Sequence, residues 1–154
     1  MYQRAENEVK INLCNQTVGE IVRNPNPADI TISPEYNIEV FVQGLDSPIS
    51  MFFIENGDMI IAESGQSTGN PRVLLLSNGN FEVIADDFAI PITGTNYLDG
   101  KIYISQRGIV TSISPDGTRQ NIIRGLPSNG DYYNSRVEIG PDNKICIGFW
   151  SELP

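Results

Sequence analysis

The amino-acid sequence predicts an all-β protein built from repeated four-stranded units. The main evidence is a segment that recurs along the chain: Pro48-Ile49 returns as Pro91-Ile92, and Asn56-Gly57 returns as Asp99-Gly100, each 43 residues later. The runs around these positions are short and rich in Ile, Val, Phe and Tyr, and no segment with a helical period competes with them. Four short strands repeated every roughly 40 to 50 residues are typical of the blades of a β-propeller.

The repeat divides the chain into an irregular N-terminal arm, residues 1–33, and an incomplete propeller, residues 34–154. The propeller is predicted to comprise an outer strand at 38–42, a blade at 43–86, a blade at 87–124 and a partial blade at 125–148. Because propellers close with roughly 4 to 8 blades, about two and a half blades form only part of a ring. Exposed blade faces would then favour self-association.

Each strand is predicted from a run of β-branched or aromatic residues. Ile38 to Val42 precedes the first complete unit and corresponds by position to the outermost strand of a blade. The arm contains Asn24-Pro25-Asn26-Pro27, and because X-Pro steps favour extended or turn backbone, no helix is expected there. The strands predicted in the units are 49–54, 58–62, 72–76 and 81–85, then 92–97, 101–105, 109–114 and 119–123, and finally 136–139 and 144–147.

The turns are predicted to divide between two rims of the disc. Asn-Gly and Asp-Gly pairs favour two-residue type I′ hairpins, which here join first to second and third to fourth strands. The pairs are Asn56-Gly57, Asn78-Gly79, Asp99-Gly100 and Asp116-Gly117. The longer connections therefore lie together on the opposite rim, the long-loop rim, at 63–71, 86–91, 106–108 and 125–135. Because scaffolds present functional residues on such loops, we look for a site there.

Composition excludes several classes of function. The net charge is −9, from 19 acidic and 10 basic residues, which disfavours nucleic acid and anionic membranes as partners. The sequence has no histidine, so we expect neither a Ser-His-Asp site nor a histidine metal site. Cys14 and Cys146 lie far apart, so we expect no metal cluster and two reduced thiols. No signal peptide or membrane-spanning segment is visible in the sequence, and the compartment is left open.

The long-loop rim carries the candidate functional residues. The segment Leu126 to Asn134 is a polar insertion with two tyrosines, which suits a small carbohydrate that needs ring stacking and directed hydrogen bonds. Alternatively, Asp131 and Asn134 bond loop backbone while the tyrosines pack between blades. The candidates for substrate binding are Asn134, Arg136, Arg107, Gln106, Glu63 and Arg72, of which Glu63 and Arg72 could instead form a surface or inter-blade ion pair.

A family resemblance adds to this interpretation. The segments GLDSPISMFFIENGDMIIAESG, PRVLLL, PITGTNYLDGKIYISQRG and GLPSNGDYYNSRVEIGPDNKICIG together resemble the glucose/sorbosone dehydrogenase family. The resemblance covers about Pro34 to Gly148 and implies a six-bladed propeller that oxidises sugars. The resemblance, and nothing else in the sequence, implies pyrroloquinoline quinone and calcium as cofactors. Members of the family are often extracytoplasmic.

The resemblance gives roles to two neighbouring residues. In the family a histidine follows the Gly-Asp of this segment and takes the hydroxyl proton; here that position is Tyr132, beside Asp131. Tyr132 and Asp131 are therefore the catalytic candidates that the resemblance implies, although an unperturbed tyrosine has a pKa near 10 and is a weak base at neutral pH. We expect a chain that is inactive alone; the alternative is a non-catalytic propeller module that binds a carbohydrate or a protein on the same rim.

Overall fold

The computed structural model describes residues 26–129 and 133–149. Within these ranges the chain forms ten β-strands and one turn of 3-10 helix, Pro27–Asp29, which the Asn26 side chain caps through a bond from the Ala28 amide. The strands are β1 Pro48–Phe53, β2 Met59–Glu63, β3 Arg72–Ser77, β4 Asn80–Ala85, β5 Ile92–Leu98, β6 Lys101–Gln106, β7 Ile109–Ile113, β8 Arg119–Arg124, β9 Val137–Ile139 and β10 Ile145–Ile147.

The strands form two four-stranded antiparallel sheets and a hairpin. The first sheet has the order β1-β2-β3-β4, the second has the order β5-β6-β7-β8, and β9 pairs with β10. The first strands of the three units lie side by side, β1 against β5 and β5 against β9. Meandering sheets arranged around their first strands are the blades of a partial β-propeller, as the sequence predicts.

An apolar core joins the first sheet to the second. In β-strands alternate residues point to opposite faces, so one side of β2, with Ile60 and Ala62, faces the second sheet. Ile102 and Ile104 of β6 face back, and all four side chains are buried in one cluster. At the inner edge of this junction the Ser50 and Thr95 hydroxyls are 2.9 Å apart.

Hydrogen bonds dominate the contact between the second sheet and the third unit. Ser105 Oγ donates to the Ser135 carbonyl at 2.8 Å, and Asn96 Nδ2 donates to Glu138 at 2.7 Å. Gly94 lies where a side chain would collide with Arg136, since an added Cβ would be 2.3 Å from Arg136 Cγ. The two junctions therefore differ in chemistry: the first is apolar and the second is polar.

All ten strands that the sequence predicts within the units are present, with ends that differ by one residue or none. The predicted outer strand at 38–42 is wrong: residues 38–42 form no strand. A strand requires a hydrogen-bonded neighbour, and the described residues provide none beside this segment. Its attachment is instead apolar, since Val42 packs with Leu45 against the outer side of the first sheet.

Two of the four predicted turns have a different geometry. Asn78 and Asp99 have positive φ, as do the glycines after them, which is the type I′ pattern. At Asn56-Gly57 and Asp116-Gly117 only the glycine has positive φ. There the chain forms a longer loop in which the Asx side chain accepts the amide two residues on, at 3.0 Å for Asp58 and 2.9 Å for Thr118.

Candidate functional site

The long-loop rim of the first sheet is built around a buried carboxylate. Glu63 ends β2 and lies opposite Arg72, the first residue of β3. Its side chain has no solvent exposure, accepts the Asp46 amide at 2.6 Å through Oε1, and accepts Arg72 Nε at 2.8 Å through Oε2. The ion pair thus lies within one sheet and is buried, whereas the sequence suggested a surface or inter-blade pair.

Glu63 holds neighbouring loops in place. By fixing the Asp46 amide it positions the Asp46 carboxylate, which in turn accepts Thr68 Oγ1 from the loop that leads to β3. Burial raises the pKa of Glu63, and this effect exceeds the opposing effects of the Asp46 amide and of Arg72. The geometry gives this pair a structural role, and its predicted contact with a substrate stays a prediction.

Gln106 occupies the corresponding position in the second sheet, 43 residues after Glu63. It is buried, and Oε1 accepts the amide of Ala89, which is itself 43 residues after Asp46. Its Nε2 donates to Thr111 Oγ1 at 2.6 Å. The same contact therefore occurs in both sheets. The last residue of the second strand, Glu63 in β2 and Gln106 in β6, accepts a backbone amide from the loop that precedes the first strand of that sheet.

Asn134 attaches the long loop 125–135 to the second sheet. It is buried, with Oδ1 accepting the Gly108 amide at 2.8 Å and Nδ2 donating to Ser105 Oγ at 2.7 Å. Ser105 Oγ donates its own proton to the Ser135 carbonyl. This arrangement matches the alternative in which Asn134 satisfies loop backbone groups.

Arg107 and Tyr133 form the candidate binding surface at this rim. Arg107 is exposed, its Nε donates to the Ser128 carbonyl at 3.2 Å, and its guanidinium lies 5.2 Å from the centre of the half-buried Tyr133 ring. The next residue, Gly108, is fixed by Asn134. The surface therefore combines an exposed cation with an aromatic ring, and the buried Asn134 side chain bonds the backbone next to Arg107.

Arg136 lies away from this pair, on the inner strands. It forms an exposed ion pair with Glu138 and lines a cavity of about 240 Å³ with residues of β1 and β5, among them Phe52 and Tyr97. The catalytic candidates Asp131 and Tyr132 lie outside the described residues. The sequence thus spreads its candidates over the first sheet, the second sheet and the inner strands.

A metal site requires several ligating side chains close together. In 26–129 and 133–149 no group of three or more His, Cys, Asp or Glu side chains could hold a metal ion. The described residues therefore supply no set of such ligands for calcium. Two arginines at this rim are engaged: Arg72, at the start of β3, binds Glu63, and Arg107, directly after β6, contacts Ser128 and Tyr133.

The sequence missed several polar residues that organise the rim. Ser105, Thr111 and Asn121 are members of the networks below the loops, with Thr111 Oγ1 donating to Asn121 at 2.7 Å. For Ser105 and Thr111 the available signal was a polar residue inside a predicted strand, at a buried position where an apolar side chain is usual; for the exposed Asn121 there was no such signal. Among the described residues no helix is both long and apolar enough to span a bilayer.

No protein-family model matches the chain, and no curated protein matches it. Several solved structures align with part of the chain, two of which follow. A nidogen/laminin complex aligns at 16% identity and a TM-score of 0.49, over 61% of this chain and 36% of that one. A putative oxidoreductase (glucose dehydrogenase) from Thermus thermophilus aligns at 20% identity and a TM-score of 0.55, over 66% of this chain and 37% of that one.

The matches thus span less than two-fifths of either solved chain. At 20% identity the likeness to the Thermus protein shows the fold, and it is to a protein of the kind that the sequence resembles. This chain has the fold of part of a β-propeller.

Proposed function

We propose that this chain binds a small carbohydrate on its long-loop rim, as part of a propeller of the sugar dehydrogenase type. The observation that carries the proposal is the Arg107–Tyr133 pair, an exposed guanidinium over an aromatic ring on an anchored loop. The fold likeness to a putative glucose dehydrogenase supports carbohydrate as the ligand class.

The chemistry of the pair suits a polyol. An aromatic ring offers a face for the C–H groups of a sugar, and a guanidinium carries five N–H donors for its hydroxyl and ring oxygens. The bond to Ser128 uses one donor and orients the guanidinium plane. The buried bonds of Asn134 hold the loop that carries Tyr133, so less ordering would be needed when a ligand binds.

The oxidation step stays a further proposal from the resemblance. In it, Asp131 would orient the sugar, Tyr132 would take its hydroxyl proton, and a quinone, if bound, would supply the oxidising power. The quinone and calcium are likewise proposed from the resemblance alone, and the described residues supply no ligand set for the metal.

Binding is tested with the full chain by calorimetry against a panel of aldoses and aldonolactones. We expect millimolar or tighter binding of at least one sugar, weakened about tenfold or more by Arg107→Ala, which corresponds to roughly 1.4 kcal/mol. Arg124→Ala is the matched control, because Arg124 is an exposed arginine at the end of β8 and should leave binding unchanged. Absence of binding to every sugar, or equal loss in both variants, contradicts the proposal.

A second candidate is a binding module without catalysis, and one observation favours it. Glu63, Gln106 and Asn134 are all buried, and each is occupied by bonds that hold loops. Dye reduction with added quinone and calcium separates the two candidates. Both candidates bind sugar, but the module reduces no dye, whereas the dehydrogenase reduces dye once quinone and calcium are added.

A further inference from the structure

The cavity between β1, β5 and Arg136 has no part in the proposed function. It has a volume of about 240 Å³ and is bordered by four consecutive residues of β1, 50–53, and three consecutive residues of β5, 95–97. Successive side chains of a strand point to opposite faces, so a run of consecutive residues borders one space along the edge of the strand. The cavity therefore lies between the edges of β1 and β5.

The edge of β1 offers backbone groups to this cavity. β1 is the first strand of its sheet, so its only strand neighbour in that sheet is β2. In an antiparallel pair the N–H and C=O groups of alternate residues point away from the partner strand. Side-chain bonds between β1 and β5 all involve the Ser50 hydroxyl, and no side chain in 26–129 or 133–149 bonds the backbone of 51–53.

The next junction shows how side chains can cover such an edge. There the Ser135 carbonyl accepts Ser105 Oγ at 2.8 Å, and the Val137 carbonyl accepts Asn96 Nδ2 at 3.4 Å. Residues of the second sheet thus bond the backbone at the start of the third unit. Beside residues 51–53 this role is left to solvent or to a bound molecule.

The side chains around the cavity suit a molecule with many hydroxyl groups. The Phe52 and Tyr97 rings, with centres 5.9 Å apart and planes tilted by 32°, offer apolar surface to C–H groups. The Ser50 and Thr95 hydroxyls are buried and 2.9 Å apart. Arg136 adds N–H donors. Hydroxyl groups both donate and accept, so they match this mixed set of backbone and side-chain partners.

The charge and the size of the cavity narrow the ligand class. Arg136 is ion-paired with Glu138, so its charge is balanced, and the chain carries a net charge of −9. An anion would compete with Glu138 and would be repelled by the chain as a whole. The volume is below the roughly 300–1,000 Å³ of sites for drug-sized molecules, so the ligand is small.

We propose that this cavity binds a small neutral polyol, at a site separate from the Arg107–Tyr133 pair. Hydroxyl groups of the ligand bond Arg136 and the free edge of β1, and its C–H groups contact Phe52 and Tyr97. Because Arg136 directly precedes β9, the ligand also ties the third unit to the first two sheets.

Calorimetry on the full chain with Arg107→Ala tests this site apart from the long-loop rim. We expect myo-inositol to bind, and cyclohexanol, with the same ring and one hydroxyl, to bind at least about tenfold more weakly. Arg136→Gln should weaken inositol binding about tenfold or more, because it removes the guanidinium and keeps the three side-chain carbons that contact Gly94. The control Lys144→Gln removes another ion-paired cation of the third unit, away from the cavity, and should leave binding unchanged.

Hydrogen exchange gives a readout that does not depend on the folding of a variant. Inositol should slow the exchange of backbone amides in 51–53 and leave those of β7 and β8 unchanged. The proposal is overturned if inositol does not bind, if cyclohexanol binds as tightly, or if Arg136→Gln and Lys144→Gln have the same effect. Protection confined to the loop 125–129 would overturn it as well.

Discussion

The substitution Glu63→Gln tests the buried side-chain-to-loop contact that occurs once in each of the two sheets. Glutamine is the residue at the equivalent position, Gln106, where Oε1 accepts the entering loop in the same way. Glu63→Gln should therefore keep the bond from the Asp46 amide but remove the second carboxylate oxygen, Oε2, to which Arg72 Nε donates. We expect a loss of about 1–2 kcal/mol in unfolding free energy at neutral pH, because a partly buried donor loses that acceptor. Glu63→Ala removes both contacts and should cost about 3–5 kcal/mol.

The dependence on pH gives a stricter test. Burial raises the pKa of Glu63 above its ordinary 4.5, so the folded state holds the proton more tightly than the unfolded state. The contribution of Glu63 to stability is then fully present below the unfolded pKa and is lost as pH rises through the folded pKa. The cost of Glu63→Gln should accordingly be larger near pH 4 than near pH 7.

Urea unfolding followed by far-ultraviolet circular dichroism, at several pH values between about 4 and 8, measures both effects. The difference between wild type and Glu63→Gln isolates this side chain from the other carboxylates. If wild type gains stability over Glu63→Gln as pH rises, then Arg72 outweighs burial and the reasoning is refuted. A Glu63→Ala variant as stable as Glu63→Gln would show that the bond to the Asp46 amide contributes nothing.

Two further substitutions test the junction with the third unit. Asn134→Ala removes the side chain that bonds the Gly108 amide and the Ser105 hydroxyl, and it should cost about 2–4 kcal/mol in urea unfolding. The control Asn129→Ala, at an exposed position of the same loop, should cost less than about 0.5 kcal/mol. Equal costs for the two variants would contradict the role of Asn134. Gly94→Ala places a methyl group against the stem of Arg136 and should cost about 1–3 kcal/mol in thermal unfolding, and an unchanged transition would show that the strand shifts freely.

The strands could be predicted because their signal is local. Runs such as Arg72 to Leu76 and Ile92 to Tyr97 combine β-branched and aromatic residues with flanking turn pairs, and the structure places β3 and β5 there. The segment 38–42 has the same composition but no strand neighbour among the described residues, which no local pattern reveals. The turn at Asn56-Gly57 differs from type I′ because Asn56 does not adopt positive φ.

The candidate site was less accessible to sequence reasoning. Polar residues on long loops were expected to face a ligand, but a side chain such as Gln106 or Asn134 can equally turn inward and bond backbone groups. Composition does not distinguish these outcomes, because both require the same donors and acceptors. The repeat did hold a clue: Glu63 and Gln106 occupy one slot, and a position shared by successive units indicates a contact of the scaffold.

The difference between the two junctions has a consequence for how the chain loses its structure. Modules that touch only their neighbours unfold in an order set by the strength of each contact. The contact between the first two sheets excludes water over a continuous aliphatic layer, while the third unit is attached mainly through Ser105, Asn134 and Gly94. Amide protons of β9 and β10 should therefore exchange with solvent before those of β2 and β6, so that the chain melts from one end toward the other.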